Sequence, residues 1–312
     1  MKIKKGIGLV LMILLFFGVF LTSSGAQVKA EDFYLHSGTW TDIFSKKETV
    51  DYPLLFLHGL AGNPASWEKT IKTISGNEYY EMRYFDHKRI FHNYHGEPPE
   101  RWFWNLSYYT LNTVNEAISG DLTTYTDRLT EMIKLVKKFS GKDRVIIIAH
   151  SMGGLVARKY MTRDQQSWDS VYRLLSIATP HNGIDLPIGI INQLEDLKTD
   201  SYFLKELNED WARMASLNPT KKWGVVGGID SDSFLNKQLS DSKKTDSGGP
   251  GYITISSAIP YEWEEAIAQL DQATYDTEHF GFRMAVESSH TGIVFHAGTL
   301  EGIHWAVTAD FQ

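Results

Sequence analysis

Ser151 is the residue best placed to act as a nucleophile. It lies in Ala149-His-Ser-Met-Gly153, directly after Val145-Ile-Ile-Ile148 and directly before Gly154-Leu-Val-Ala-Arg-Lys-Tyr-Met161. The four β-branched residues read as a buried strand, and Leu155, Val156, Tyr160 and Met161 give the following stretch the apolar spacing of a helix. Strand, sharp turn and helix are the setting in which a G-x-S-x-G pentapeptide presents a serine hydroxyl at the top of a sheet, at the positive end of the helix. Alanine replaces the first glycine here. Only small side chains fit around so tight a turn, and Ala149, Gly153 and Gly154 satisfy that.

A serine so placed attacks a carbonyl carbon and needs hydrogen-bond donors for the oxyanion that forms. One donor is the backbone N–H after the serine, at Met152. The second is expected from the loop after an earlier strand. Tyr52-Pro-Leu-Leu-Phe-Leu57 reads as that strand and runs into His58-Gly59, so Leu60 is the expected donor. Gly59 lets the backbone approach the reacting carbon, and His58, at a strand end ahead of the serine, is read as a brace for the loop. The serine also needs a base, and His279, His290, His296 and His304 all follow it at a useful distance.

Four motifs in chain order resemble the α/β-hydrolase superfamily, specifically bacterial secreted lipases and esterases. They are His58-Gly59, Ala149-His-Ser-Met-Gly-Gly154, Thr179-Pro-His-Asn-Gly183 and Ser289-His-Thr-Gly292. Ala149 is similar to the variant turn of Bacillus-type lipases. Phe203-Leu-Lys-Glu-Leu-Asn208 resembles a lipase lid insertion after the sixth strand. The resemblance implies the order serine, acid, histidine. It selects His290, in a segment like the family's histidine loop, as the base. His304, in what looks like a final helix, is the runner-up, and His181 precedes the place for the acid and is read as structural. The acid is harder to place. Family members often carry Asp-Gly just before a segment like Tyr252-Ile-Thr-Ile-Ser-Ser-Ala258, and here Pro250-Gly251 stands there. Asp246, separated from that spot by a serine and two glycines, ranks first. Asp230, just past the seventh strand, is the alternative.

The elements that must position these groups form a regular alternation. Glu81–Phe85, Arg173–Ala178, Lys222–Gly228 and Phe280–Val286 read as further strands. Residues 121–140 carry an apolar face at helical spacing, and 91–120 read as an aromatic, irregular stretch. Strands alternating with helices imply parallel crossovers, hence an α/β, doubly wound, mostly parallel sheet with a helical lid insertion at about 184–222. Leu186, Ile188, Ile190, Ile191, Leu194 and Leu197 make that insertion too apolar for an exposed helix, and a lid over the serine that opens at a lipid surface would account for it. Trp102, Phe103, Trp104, Tyr108 and Tyr109 are candidates for the opposite wall of the acyl site. Ser240–Gly251 reads as a flexible loop.

Composition sets the rest. Lys2, Lys4 and Lys5 precede the apolar run Ile7–Leu21, and small residues follow. This pattern reads as a secretory signal peptide within 1–30, cleaved after Ala26 or Ala30, leaving a hydrolase domain over 31–312. A retained membrane anchor is the alternative. The chain holds 312 residues, no cysteine and a net charge of −7, which the removal of Lys2, Lys4 and Lys5 makes −10. No disulfide or lipidated cysteine is available, and nucleic acid is disfavoured as a partner. The expected protein is a secreted serine hydrolase of carboxylic esters, a lipase or esterase using Ser151, His290 and Asp246 without metal or organic cofactor. The alternatives are an amidase or acyltransferase on the same triad, or a non-catalytic binder of hydrophobic ligands.

Overall fold

The structure is a computed structural model that describes residues 49–86, 89–110, 116, 120–184, 192–229 and 253–309. Nine strands form one sheet: β1 (Leu54–Leu57), β2 (Tyr80–Asp86), β3 (Arg89–His92), β4 (Phe103–Ser107), β5 (Val145–His150), β6 (Val171–Ile177), β7 (Trp223–Ile229), β8 (Thr274–Tyr275) and β9 (Phe280–Glu287). Their spatial order is β3-β2-β4-β1-β5-β6-β7-β9-β8. Every neighbouring pair is parallel except β2–β3 and β8–β9 at the two edges. The nucleophile strand β5 is therefore central.

The central strands are apolar on both faces because helices cover both faces. Val145, Ile147 and Ala149 join the core under one layer, while Ile146 and Ile148 join the other. The first layer holds α2 (Leu122–Ser140), α3 (Met152–Met161) and α6 (Tyr202–Leu217); the second holds α1 (Ala65–Ser75) and α9 (Ala297–Val307). Shorter helices among the described residues include α4 (Gln165–Asp169), α5 (Asn192–Leu197), α7 (Ile255–Ala258) and α8 (Trp263–Ile267). The amphipathic face read over 121–140 is α2. Asp121 caps it by accepting from the Thr124 N–H at 2.7 Å, and Leu122, Tyr125, Leu129, Met132, Ile133 and Val136 are buried.

Two expectations are corrected. The stretch 91–120 is not irregular throughout: Phe103–Ser107 is β4, an interior strand between β2 and β1. All five of its residues are buried, so it shows no alternation, and its polar Asn105 donates from Nδ2 to the Pro64 carbonyl at 2.8 Å. Trp102, Phe103 and Trp104 are accordingly core residues and not a wall of the site. Trp104 packs among Trp102, Tyr80 and Phe139.

The described part of the insertion also packs inward. Leu194, Leu197, Phe203, Leu204 and Leu207 are buried in the main core, and Asp196 Oδ2 accepts from the Leu122 N–H at 3.1 Å. Leu186, Ile188, Ile190 and Ile191 lie outside the described residues, as do the leader and the 240–251 loop. Among the described residues no helix is long and apolar enough to cross a membrane. At the N-terminal edge of the sheet, Thr49 bridges Thr308 and the Val50 N–H donates to the Val307 carbonyl at 2.8 Å. The two ends of the described chain thus meet.

Candidate active site

Ser151 links β5 to α3 with φ 53° and ψ −131°. A side-chain-bearing residue in such a conformation costs about 1–3 kcal/mol and persists only where its surroundings enforce it. They do so here. The Ser151 N–H donates to the Ile177 carbonyl on β6 at 2.8 Å. Gly59 presses on the other side: a Cβ there would lie 2.7 Å from Ser151 Cβ and 3.2 Å from Oγ. At Gly153 a Cβ would lie 2.5 Å from the His58 carbonyl oxygen. Gly153 is thus explained by contact with the β1 loop, and Gly154 by Thr179, whose Oγ1 a Cβ would approach to 2.1 Å.

The loop expected to supply an oxyanion donor follows β1. Among the described residues, neither the Leu60 N–H nor the Met152 N–H is matched with an acceptor. His58 braces the loop, as expected. Its ring is fully buried, 4.4 Å from that of Tyr108 and 4.7 Å from that of Tyr109. Nδ1 lies 2.9 Å from the Gly59 carbonyl, so it is the protonated nitrogen, and Nε2 accepts from Ser107 Oγ at 3.2 Å. Burial pushes the His58 pKa down to about 4, so the ring is neutral. The Tyr108 hydroxyl donates to the His58 carbonyl. Tyr108 and Tyr109 therefore sit under the loop as supports.

His290 lies beside the nucleophile turn. The chain leaves β9 with the Ser288 N–H bonded to the Ile229 carbonyl at 3.0 Å, and His290 follows. Its carbonyl accepts from His150 Nε2 at 2.8 Å, and its ring is 4.7 Å from the His150 ring. His150, the residue before the serine, thus fixes the backbone of the histidine loop. Burial, reinforced by His290 alongside, holds the His150 pKa well below its ordinary value, so the ring stays a neutral donor. This role was not read from the sequence; the available signal was a hydrogen-bonding side chain at the buried end of an otherwise apolar strand. His304 is in α9, as expected. His296 caps that same helix, accepting from the Gly298 N–H at 3.1 Å, and His279 stacks on Tyr261. His181 is buried and structural. Nε2 lies 2.9 Å from Ser176 Oγ, and Nδ1 accepts from Arg158 at 3.2 Å. The Arg158 guanidinium lies over the adjoining rings of Trp211 and Trp223 and donates to Asn208 Oδ1 at 2.9 Å.

The candidate acids Asp246 and Asp230 lie outside the described residues. Asp230 directly follows Ile229, the last residue of β7, which pairs with Glu287 of β9. Among the described residues no group of three His, Cys, Asp or Glu is gathered as a metal site would need. A strained serine with a histidine loop fastened beside its turn is an arrangement that can carry out acyl transfer.

The sheet order, with the serine after its central strand and the histidine loop after β9, defines an α/β hydrolase. The superfamily expected from the motifs is thereby shown. The chain belongs to the PGAP1-like alpha/beta domain family, whose profile matches residues 48–272. Among curated relatives, it is 25% identical over 243 residues to a GPI inositol-deacylase of Kluyveromyces lactis, covering 72% of this chain and 23% of that one. A Mus musculus GPI inositol-deacylase is 26% identical over 243 residues, covering 75% and 23%. The chain therefore spans about a quarter of the length of these relatives. Among solved structures, a gene product of Listeria innocua superposes with a TM-score of 0.53 at 15% identity, covering 82% of this chain and 93% of that one, a likeness of fold.

Proposed function

We propose that this chain is a serine ester hydrolase that removes an acyl group from a lipid. The observation that carries this reading is Ser151, held at φ 53° between β5 and α3 with Gly59 against its side chain. Ser151 Oγ attacks the ester carbonyl while His290 takes its proton. The Leu60 and Met152 N–H groups receive the oxyanion. As the tetrahedral adduct collapses, the ester C–O bond breaks and the alcohol leaves with the proton from His290. Water, deprotonated by the same histidine, then releases the carboxylic acid and restores the serine. An aspartate orients the imidazole. The pairing of β7 with β9 supports Asp230 over Asp246, because Asp230 follows the strand end next to which the histidine loop begins.

The relatives' name, GPI inositol-deacylase, favours an acyl ester on a lipid headgroup hydroxyl as the substrate. The motif resemblance favours a simpler lipase or carboxylesterase reaction by an exported enzyme, with the leader of residues 1–30 removed. Hydrolysis of p-nitrophenyl esters of rising chain length, an emulsified triglyceride and an inositol-acylated lipid separates the two. Ser151→Ala, which fits the same turn, is expected to lose turnover by several orders of magnitude while keeping its fold. A folded Ser151→Ala protein with near-native turnover refutes the proposal. His290→Ala is expected to be nearly as damaging, and His304→Ala to affect stability alone.

A further inference from the structure

Ala61, one residue past the expected oxyanion donor Leu60, has a left-handed backbone with φ 53°. Nothing in alanine favours that conformation, so tertiary contacts must hold it. The contact present is a buried polar chain. The Ala61 N–H donates to the Tyr109 hydroxyl at 3.3 Å. Tyr109, 4% exposed, lies 2.9 Å from Gln193 Oε1. Gln193, wholly buried, turns its Nε2 to the Tyr125 hydroxyl at 2.7 Å and to the Glu116 carbonyl. The directions follow from the groups. The Glu116 carbonyl can only accept, so the amide nitrogen must face it and Oε1 must face Tyr109. Tyr109 then spends its one proton on Gln193 and has a lone pair for Ala61. Gln193 stands on α5, a helix contributed by the insertion after β6, far in sequence from the loop it steadies.

We infer that Tyr109 and Gln193 are positioning residues for the oxyanion hole, through which α5 fixes the backbone at Leu60–Ala61. The inference rests on the proposed role of the Leu60 N–H. It makes α5 a fixed support of the active site. Both side chains are too deep to serve as substrate contacts; Tyr109 is joined to the loop directly and Gln193 through Tyr109, and one substitution removes either bond.

Tyr109→Phe keeps the ring against His58 and deletes only the hydroxyl. Gln193→Leu deletes the amide, and Gln193→Glu turns a second oxygen towards the Glu116 carbonyl. The first readout is hydrogen exchange at the Ala61 amide, which needs no activity. It is expected to accelerate at least about tenfold in Tyr109→Phe and in Gln193→Leu at unchanged global stability. The second uses a short soluble p-nitrophenyl ester and an alkylboronic acid that forms a tetrahedral adduct with Ser151. kcat and boronate affinity are expected to fall together, about tenfold, with KM within about twofold, because only the tetrahedral state needs the donor. Gln193→Glu is expected to behave like Gln193→Leu. Wild-type Ala61 exchange in both Tyr109→Phe and Gln193→Leu overturns the inference, as does a rise in KM with kcat and boronate affinity intact. Should the wild-type protein hydrolyse no ester, the proposed function fails, and the exchange rates still decide whether the tie holds the loop.

Discussion

Acidification should unfold this protein through three buried histidines. His58, His150 and His181 are all buried, and burial is the largest cause of the lowered pKa in each. The Gly59 carbonyl partly opposes it at His58, whose pKa is about 4; His290 reinforces it at His150, and Arg158 at His181. The unfolded chain protonates each near pH 6.5. Because the folded values are depressed, their stabilisation is fully present above about pH 6.5 and is lost as pH falls towards the folded values, about 4 for His58. Between pH 7 and pH 5 a ring that stays neutral in the folded state loses about 2 kcal/mol relative to the unfolded chain, and up to about 6 kcal/mol is lost where all three do so. That is comparable with the whole stability of a typical domain, about 5–15 kcal/mol. Urea titrations followed by tryptophan fluorescence at pH 7, 6 and 5 measure it directly. His181→Gln, whatever it does to stability at pH 7, should remove about a third of the pH dependence. A loss below about 2 kcal/mol between pH 7 and 5 would mean that at most one of these rings is neutral in the folded protein, and the reasoning would fail.

Gly59→Ala forces a Cβ to 2.7 Å from Ser151 Cβ, between two segments of backbone with little room to give. Ester turnover is expected to fall about a hundredfold, since displacing a reacting group by a fraction of an ångström is costly; near-native kcat would mean the two loops are softer than the packing implies. His150→Phe keeps an aromatic ring at the end of β5 but leaves the His290 carbonyl without its donor. A stability loss of about 1–3 kcal/mol is expected, with a kcat deficit on top, measured by urea unfolding and ester hydrolysis. Asp230→Asn is expected to lose far more ester turnover than Asp246→Asn, and the reverse ranking would move the acid into the 240–251 loop.

Much of this architecture was legible in the sequence because its signals are local. Val145–Met161 specifies strand, turn and helix with no help from elsewhere, and the α2 face from Leu122 to Val136 is a repeat any helix must bury. His58 was readable as a brace from its place at a strand end, and His181 as structural from its place ahead of the acid. What escaped was decided by distant partners. β4 was missed because a strand covered on both faces loses its alternation, leaving Trp102-Phe-Trp-Asn-Leu106 as an aromatic cluster. The His150–His290 bond joins residues 140 positions apart, and Tyr109–Gln193 joins residues 84 apart. Neither pairing has a local pattern to announce it.

The bridge between Thr49 and Thr308 bears on how this domain is carried. Both residues lie at the N-terminal edge of the sheet, where Tyr172 and Arg173 of β6 also reach the Thr308 carbonyl. Ser151, the oxyanion loop and the start of the histidine loop occupy the opposite, C-terminal edge. Chain arriving at Thr49 and chain departing from Thr308 therefore share one exit, on the pole away from the chemistry. A fold wired in this way can be spliced into a longer polypeptide as a plug, at two adjacent points, without stretching its sheet.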